Sequence, residues 1–450
     1  MDNTLNRQDM TPEIFCGRAL AYAEAQGVSP AEISLSESES FSVRVRSGSL
    51  EDYKVSNRIS LTLRGCWQGK IGTASTQALD EESLSLLVTG VKESAELIET
   101  DEQDEILPPD ERYSAVCNYS EALDKISAEE KIALAMTIDR RLSAADARIT
   151  PDSTVLATAQ GTFRLKNTLG LDLAHSNNMI YAYSSCLARK GEKAATGFKL
   201  LWGYSMEDVN AIDVADGCVQ DAISKLDAGR VASGAYPVVI RNNAMADLLS
   251  TFSGVFSADN AQKGMSLLAG KEGQAIASKC VTLIDDPLMP WGLGSCPFDR
   301  EGAAAMTKKI IENGALKTLL HNRKTAKKAG VKTTGNAAGS GRVAPSNLYI
   351  QPGSDSADTL LAQMDSGLFV TEVSGLHAGA NPISGDFSLL ARGWEVRGGK
   401  AVRAVEQFTV AGNFYRLMED ISAVGNDLLF EGSPIGSPSV MVRELSVAGE

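Results

Sequence analysis

The stretch that decides the fold is residues 40–75, SFSVRVRSGSLEDYKVSNRISLTLRGCWQGKIGTAS. Two runs in it alternate apolar with polar side chains, and their apolar members are Phe41, Val43, Val45, Ile59, Leu61 and Leu63. Ser47-Gly48 and Gln68-Gly69 supply turn residues between the runs. This pattern predicts an antiparallel meander with one buried face and one face in water.

A helix is predicted on each side of this meander. Pro12 suits the first turn of a helix that runs to about Ala25, and Asp80 is placed to cap the other. Apolar residues recur in the second helix at three- and four-residue spacing, namely Leu84, Leu87, Val88, Val91, Ala95 and Ile98. We therefore expect the second helix to cover the sheet.

A second unit of similar composition follows residues 100–112, an acidic segment whose Pro108-Pro109 marks the first domain boundary. Ser127 and Glu130 have the spacing of a capping box. Strands are predicted at 153–160, 162–166, 171–175 and 179–189, divided by turns at Gln160-Gly161, Gly170 and Ser176-Asn177-Asn178. A helix then leads to the second boundary, in DAGRVASGAY.

The remaining residues are richer in glycine and in short strands. Asn313-Gly314 is the preferred pair for a type I′ hairpin turn. Further strands predicted at 346–351, 368–374, 386–396 and 401–411 indicate a large, bent antiparallel sheet or a barrel. We predict an α+β protein with three domains, an N-terminal α/β domain (1–110), a central helix-plus-meander domain (111–230) and a β-rich C-terminal domain (231–450).

The net charge of −14 argues against nucleic acid and anionic membranes as partners, because both are bound mainly through lysine and arginine. One region is basic: Lys308, Lys309, Lys317, Arg323, Lys324, Lys327, Lys328 and Lys332 have almost no acid nearby except Glu312. A solvated helix face and hairpin is the simpler interpretation. A contact for an acidic partner or peptide is the alternative.

Cysteine usage indicates a reducing compartment. The seven cysteines are scattered and never form a C-x-x-C pair, which argues against a disulfide framework and a zinc knuckle. The opening MDNTLNRQDM lacks the pattern of a signal peptide, and no apolar run approaches the roughly 20 residues of a membrane span. We expect a cytoplasmic protein.

Known catalytic motifs are missing. His175, His321 and His377 are far apart, so no helix carries the paired histidines of a zinc peptidase. Neither a phosphate-binding glycine loop nor a G-x-S-x-G elbow occurs. Asp285-Asp286 and Asp299 could do acid/base work, but acidic residues beside proline and glycine are more typical of turns.

The loop GLHAGANPISGDF, residues 375–387, contains the residue types of a hydrolytic triad in His377, Ser384 and Asp386. An independent serine-type hydrolase is therefore one hypothesis. Asn381-Pro382 and the neighbouring glycine favour a shaped turn instead, in which the histidine is a satisfied polar residue.

The same loop, with AGN at 411–413 and VGNDL at 424–428, resembles the carboxy-terminal signature of the TldE/PmbA family, historically called modulators of DNA gyrase. The resemblance covers about residues 40–430. It continues through four further blocks in family order, VRVRSGSLEDYKVS, SGAYPVVI, AQKGMSLLAG and LHNRKTAKKAGVKTTGNA. The family's Asn-Ser-Asn-Gly-Leu block is replaced by NTLGL at 167–171.

The resemblance implies a non-catalytic subunit of a cytoplasmic, heteromeric zinc metalloprotease. In that family a sibling subunit, TldD, carries HExxxH and binds zinc, and the complexes process peptide precursors and degrade small or unfolded proteins. The matching helix here, AMADLLSTFSGVFSAD, has apolar and hydroxyl residues in place of the histidines. The expectation is therefore no metal, no cofactor and no catalytic residue in this chain, zinc on the partner, and possible self-association when the chain is alone.

On this interpretation the glycine-rich loop forms part of a peptide groove or a contact with the partner. Its glycines let backbone approach closely, and its polar side chains fix the turn. The predicted site residues are His377, Gly379, Asn381, Ser384, Gly385 and Asp386. A scaffold that binds peptides without affecting catalysis is the alternative function.

Overall fold

The computed structural model describes residues 10–99 and 105–450. Most of the opening segment (1–9) and the acidic part of the predicted first boundary (100–104) lie outside the described residues. The described residues form a half-barrel sheet followed by a closed barrel and a second small sheet, with helices packed against them. The predicted α+β class is confirmed.

The first unit is the predicted helix and meander. Its elements are α1 (Pro12–Ala25), β1 (Ala31–Arg46), β2 (Ser49–Trp67), β3 (Lys70–Thr76) and α2 (Glu81–Glu96). The turn residues Ser47-Gly48 and Gln68-Gly69 all have positive φ, as tight hairpins require. Asp80 caps α2 by accepting the N–H of Ser83 at 2.8 Å, which confirms the predicted start of this helix.

The second unit has longer strands than predicted. Its elements are α3 (Glu121–Asp124), α4 (Ala128–Ala145), β4 (Ile149–Asn167), β5 (Asp172–Lys190), β6 (Lys193–Gly203) and α5 (Ala211–Lys225). The capping box of Ser127 and Glu130 is confirmed. The turns predicted at Gln160-Gly161 and Ser176-Asn177-Asn178 are wrong, because these residues lie inside β4 and β5 and take part in the pairing of the two strands. Pairing of β4 with β1 on its other side overrides their local turn preference.

Both units contribute three strands to one antiparallel half-barrel, in the order β3-β2-β1-β4-β5-β6. Helices α1 and α2 cover one end of it and α4 and α5 the other. The contact of α2 with the sheet is close at Gly72, where an added Cβ would lie 1.8 Å from the carbonyl oxygen of Val91. A side chain at this position would therefore push the helix off the sheet.

The C-terminal domain begins after residue 230 and contains many short elements. They are β7 (Gly234–Ile240), α6 (Asn242–Phe252), α7 (Ala258–Gln262), β8 (Leu283–Asp285), β9 (Lys308–Glu312), β10 (Ala315–Leu316), α8 (Arg323–Ala329), β11 (Leu348–Ile350), α9 (Ala357–Met364), β12 (Gly367–Ser374), α10 (Leu376–Gly379), β13 (Asp386–Arg397), β14 (Lys400–Asn413), α11 (Phe414–Asp420), β15 (Ile421–Val424), β16 (Ile435–Gly436) and β17 (Val440–Ala448).

Five of these strands close into the predicted barrel. They run in the order β14-β13-β12-β7-β17, and β17 pairs back onto β14 with Thr409 opposite Ala448. The pair of β7 and β12 is parallel, which the antiparallel prediction missed. Parallel neighbours need a long crossover, and here the whole segment between the two strands provides it.

The remaining C-terminal strands form the sheet β10-β9-β8-β11-β16, in which Asn313-Gly314 makes the predicted hairpin turn with φ of 48° and 84°. Helix α6 places Met245, Leu248, Leu249 and Phe252 in the core shared by this domain. In the described part of the chain, no helix has both the length and the apolar character to cross a membrane.

Candidate functional site

The predicted site loop connects β12 to β13 at one end of the barrel. Gly375 and Gly385 flank it with φ of 82° and 84°, a conformation that side chains rarely adopt. A Cβ on Gly385 would lie 2.6 Å from the Tyr415 ring, and one on Gly379 would lie 2.3 Å from the carbonyl oxygen of Ser388. Glycine is therefore required at these positions by backbone shape and close packing.

The polar side chains of the loop hold the turn together. The Asn381 side chain accepts the N–H groups of Ile383 and Ser384 at 3.0 and 3.2 Å. Asp386 accepts from the Asn413 amide and from the Ser384 hydroxyl, both at 2.8 Å. These hydrogen bonds, that of Asn413 first, lower the pKa of Asp386, so the carboxylate is ionised and serves to fix the loop.

His377 stands apart from this hydrogen-bonded group. It is exposed on α10, and its imidazole makes no hydrogen bond or ion pair within residues 10–99 and 105–450. In a triad the imidazole lies between the hydroxyl and the carboxylate, whereas here Ser384 donates directly to Asp386. The loop thus brings its six predicted residues together without the arrangement of a hydrolytic triad.

The other two histidines lie in different parts of the fold. His175 is on β5, at the face that meets the C-terminal domain, and His321 is buried just before α8. Burial lowers the pKa of both imidazoles, which keeps them neutral near pH 7. The three histidines therefore do not form a shared site.

A cleft of about 820 Å³ lies beside the barrel, between the central unit and the C-terminal domain. Strand β6 and α5 form one wall, and α6 with β12, β13 and β14 forms the other. Its charged lining residues are Lys199, Asp221, Lys225, Arg241, Asp247, Glu372, Arg392, Glu406 and Glu431. The cleft is thus polar and carries both signs of charge.

Ion pairs connect the two walls of this cleft. Lys225 on α5 contacts Asp221 at 2.7 Å and reaches Glu372 on β12 at 3.2 Å. Arg392 on β13 lies 3.9 Å from Glu372 and 4.0 Å from Glu406. This chain of charges fixes the central unit against the barrel beside the cleft.

Asp247 and Glu431 differ from Asp221, Glu372 and Glu406, because no hydrogen bond or ion pair of either carboxylate occurs in the described residues. Asp247 lies on α6. Desolvation in the cleft, followed by the charges of Glu431 and Glu372, raises its pKa to about 6. Sequence reasoning missed this residue, although a single carboxylate in an otherwise apolar helical segment was a usable signal.

Replacing Asp247 with asparagine should stabilise the protein at neutral pH. Because the native carboxyl has a raised pKa, the folded state holds more protons than the unfolded state between about pH 4 and 6, and wild-type stability falls as pH rises through that range. Allowing for the exposure of the side chain, Asp247→Asn should gain about 1 kcal/mol at pH 7.5. Urea unfolding at pH 4 and 7.5 measures the difference, which should vanish at pH 4.

A matched control for this prediction is Glu444→Gln, since Glu444 is exposed on β17 and lies outside the cleft. The control should change stability little at either pH. Equal behaviour of Asp247→Asn and wild type at pH 7.5 would show that the carboxylate is well solvated.

The donor set of this region does not fit a catalytic metal. Over residues 10–99 and 105–450, no group of three His, Cys, Asp or Glu side chains is placed to hold a metal ion. Helix α6 presents Asn243 and Asp247 to the cleft, and the nearby Glu372 is paired with Lys225. An amide and one carboxylate, without an imidazole, are not a zinc peptidase site.

The acidic residues of the segment 285–299 have structural partners. Asp285 is fully buried and bonds to Lys308 Nζ at 2.9 Å and to the Asn336 amide at 2.8 Å. Asp299 accepts three backbone N–H groups, those of Glu301, Ala303 and Ala337. Their hydrogen-bonding capacity is therefore used within the fold.

The basic region is only partly the solvated surface that was predicted. Lys309 and Lys317 pair with Glu312 at the surface, and Lys327 pairs with Glu105. Lys308 is an exception, because its side chain is 8% exposed and bonds to Asp285 and the Asn336 side chain. It belongs to the interior of the domain and is unavailable to an acidic partner.

Comparison with protein-family models matches three consecutive parts of the chain. Residues 31–95 match "PmbA/TldA metallopeptidase domain 1" and residues 121–228 match the corresponding "central domain". Residues 233–449 match the "PmbA/TldA metallopeptidase C-terminal domain". The matches together include the half-barrel, the cleft and the barrel.

Individual relatives agree with these matches. The metalloprotease PmbA of Escherichia coli O157:H7 is 27% identical over 93% of this chain and 92% of its own length. A crystal structure from Thermotoga maritima, described as a modulator of a DNA gyrase, is 34% identical with a TM-score of 0.91 and covers 97% of this chain and 100% of its own. TldE from Thermococcus kodakarensis, at 21% identity over 97% of this chain and 100% of its own, has a TM-score of 0.88 and shares the fold.

Proposed function

Since this chain belongs to the PmbA/TldE family, whose members include metalloproteases, we propose that it is the metal-free subunit of a heteromeric peptidase. A TldD-type sibling with an HExxxH helix would supply the zinc and cleave the peptide bond. This chain would bind peptide or unfolded protein beside the sibling's metal, in the cytoplasm.

One observation supports this proposal: the family's fold is retained around α6, where no group of three His, Cys, Asp or Glu side chains among the described residues is placed to hold a metal ion. Two of the three family models, the central and C-terminal domains, account for both sides of the cleft. Helix α6, which the family resemblance matches to the metal-motif helix, faces that cleft with Asn243 and Asp247. Since an HExxxH helix needs two imidazoles on one face, hydrolysis would depend on a second subunit.

The cleft supports a role in handling peptides of varied sequence. A volume of about 820 Å³ lies within the range of small-ligand pockets, about 300–1,000 Å³. Its lining offers carboxylates, cations and the aromatic side chains of Phe198 and Trp394. Such a mixed surface accepts polar backbone and several side-chain types, which favours loose sequence preference over recognition of one ligand.

The free edge of β2 supports the proposed association with a sibling subunit. Strand β3 pairs with β2 only over Leu61–Trp67, so no strand of the described residues covers the outer edge of residues 49–60. Leu50, Tyr53 and Val55 on this segment are 51%, 47% and 54% exposed. Long exposed edges with apolar side chains readily pair with another strand.

Placing a lysine on this edge should therefore weaken the complex. Val55→Lys puts a charge on the exposed edge without touching the core, and edge lysines discourage strand pairing. We expect recovery of the sibling with a tagged copy of this chain to fall at least about tenfold. Leu97→Lys, at an 81% exposed position at the end of α2, is the control. Equal recovery of the sibling with both variants would show that the edge of β2 is not part of the interface.

The direct test of the proposed function compares three samples in a peptide-cleavage assay. This chain alone, the HExxxH-bearing sibling alone and their mixture are incubated with an unstructured quenched peptide, with and without chelator. We expect cleavage by the mixture, its loss with chelator, and none by this chain alone. The scaffold hypothesis predicts that the mixture cleaves no faster than the sibling. Cleavage by this chain alone in the presence of chelator would establish the independent hydrolase.

A further inference from the structure

A second cavity, separate from the cleft, lies where the half-barrel meets the C-terminal domain. Its volume is about 530 Å³. One wall is the sheet, with Phe163 of β4 and His175 of β5, and the other consists of segments 287–300 and 335–346. The function proposed above makes no use of it.

Arg300 provides an uncompensated positive charge in this cavity. Its guanidinium carbon lies 3.8 Å from the centre of the Phe163 ring, and no ion pair or hydrogen bond of the guanidinium occurs in residues 10–99 and 105–450. The adjacent Asp299 makes no ion pair with Arg300, and its carboxylate accepts three backbone N–H groups. Glu37 also lines the cavity but makes no ion pair with Arg300. The arrangement leaves a cation available to an anionic ligand.

His175 provides an unused hydrogen-bond acceptor beside this cation. It is the direct cross-strand neighbour of Phe163, the residue on which Arg300 stacks. Its Nε2 atom is buried and has no partner among the described residues. The backbone of Ser295 favours a proton on this imidazole, and in the neutral ring with that proton on the other nitrogen, Nε2 is an acceptor. A buried acceptor without a partner is costly, and a ligand N–H would satisfy it.

We propose that this cavity binds the C-terminal end of a peptide, with its carboxylate on Arg300 and its last amide N–H directed to Nε2 of His175. A carboxylate with a neighbouring N–H supplies both groups that the cavity lacks. A phosphate fits less well, because it offers no N–H donor and because Lys308, which bonds to the lining residue Asn336, is paired with Asp285. The Phe163 and Phe298 rings, 6.1 Å apart, would contact the apolar part of the terminal residue.

This proposal rests on the proposed function in one respect only: that function is the reason for choosing a peptide, rather than another carboxylate, as the ligand. Binding is measured on this chain alone, without the sibling and without catalysis. Failure of the cleavage assay and failure of this binding test are therefore distinguishable.

The probe is N-acetyl-Ala-Ala, compared by calorimetry with its C-terminal amide, free alanine and inorganic phosphate. We expect the acid to bind and the amide to bind at least about tenfold more weakly, because a charge-assisted hydrogen bond is lost. Arg300→Gln should weaken binding of the acid by a similar factor, and His175→Leu should weaken it by several-fold. Arg443→Gln, an exposed cation outside the cavity, is the control and should leave binding unchanged.

Three results would overturn the proposal: equal affinity for acid and amide, unchanged binding in Arg300→Gln, or preferential binding of phosphate or free alanine. Thermal unfolding checks that each variant is folded. If Arg300→Gln does not fold, the acid-versus-amide comparison on the wild-type protein still decides the outcome, and Arg300→Lys tests the charge with a smaller loss of packing.

Discussion

Replacing Lys308 with methionine should lower the free energy of unfolding by about 3–5 kcal/mol. The Lys308 ammonium is 8% exposed and its partner Asp285 is fully buried. Removing the ammonium leaves the Asp285 carboxylate in the interior without its counter-charge, and the remaining bonds from Asn336 and the Ser346 N–H do not replace that charge. Urea unfolding monitored by circular dichroism at pH 7.5 measures the loss.

The control for this prediction is the next residue along the strand, Lys309→Met. Lys309 is exposed and pairs with Glu312 at the surface, where an ion pair contributes about 0–1 kcal/mol. A loss of similar size in both variants would contradict the assignment of Lys308 to the interior. The double variant Lys308→Met with Asp285→Leu should recover part of the loss, because it no longer contains a buried unpaired charge.

The second large effect is expected from Phe252→Ala, which should cost about 3–5 kcal/mol. Phe252 is the last residue of α6 and is fully buried. Its ring stacks on Phe414 of α11 at 4.7 Å and lies 6.3 Å from Phe387, at the start of β13. Alanine would leave a cavity at the point where α6, α11 and the glycine-rich loop meet.

Phe198→Ala is the matched control, because Phe198 is 52% exposed and lines the cleft. Its loss of stability should be about 1 kcal/mol or less. Guanidinium unfolding of both variants measures the comparison. Similar small losses would show that the barrel core relaxes around α6.

Local sequence signals predicted two helix starts and a hairpin turn correctly. The Asp80 cap, the capping box at Ser127 and the Asn313-Gly314 turn all occur where expected. In each case the deciding interaction spans four residues or fewer, so the residues that make it are visible together in the sequence. The alternation of apolar residues likewise identified which face of β1 is buried.

The turns predicted at Gln160-Gly161 and Ser176-Asn177-Asn178 were wrong because the interactions that decide their conformation come from residues remote in sequence. These residues have turn preferences, but β4 and β5 pair through them over their whole length. Pairing with β1, more than one hundred residues earlier in the chain, adds a second row of hydrogen bonds to β4. Long-range pairing outweighs a local preference of this size.

The candidate site also combines features formed by residues close in sequence with features formed by remote segments. The residues of the glycine-rich loop are close in sequence, so the sequence identified them together, and their role as a peptide or partner contact stays a prediction. The cleft needs Lys225, Asp247 and Glu372 from three separate segments. The second cavity joins Phe163 and His175 to Arg300, which comes from another domain.

By itself, the sequence determined the local elements, the three-unit order along the chain, the resemblance to the family and the absence of paired histidines. Only the tertiary structure decided that two units merge into one half-barrel, that Lys308 is an interior residue and that Arg300 and Asp247 have no counter-charge among the described residues. The physical reason is distance along the chain. A cap or turn is stabilised by neighbours, whereas burial and charge pairing depend on which remote segments the closed sheets bring together.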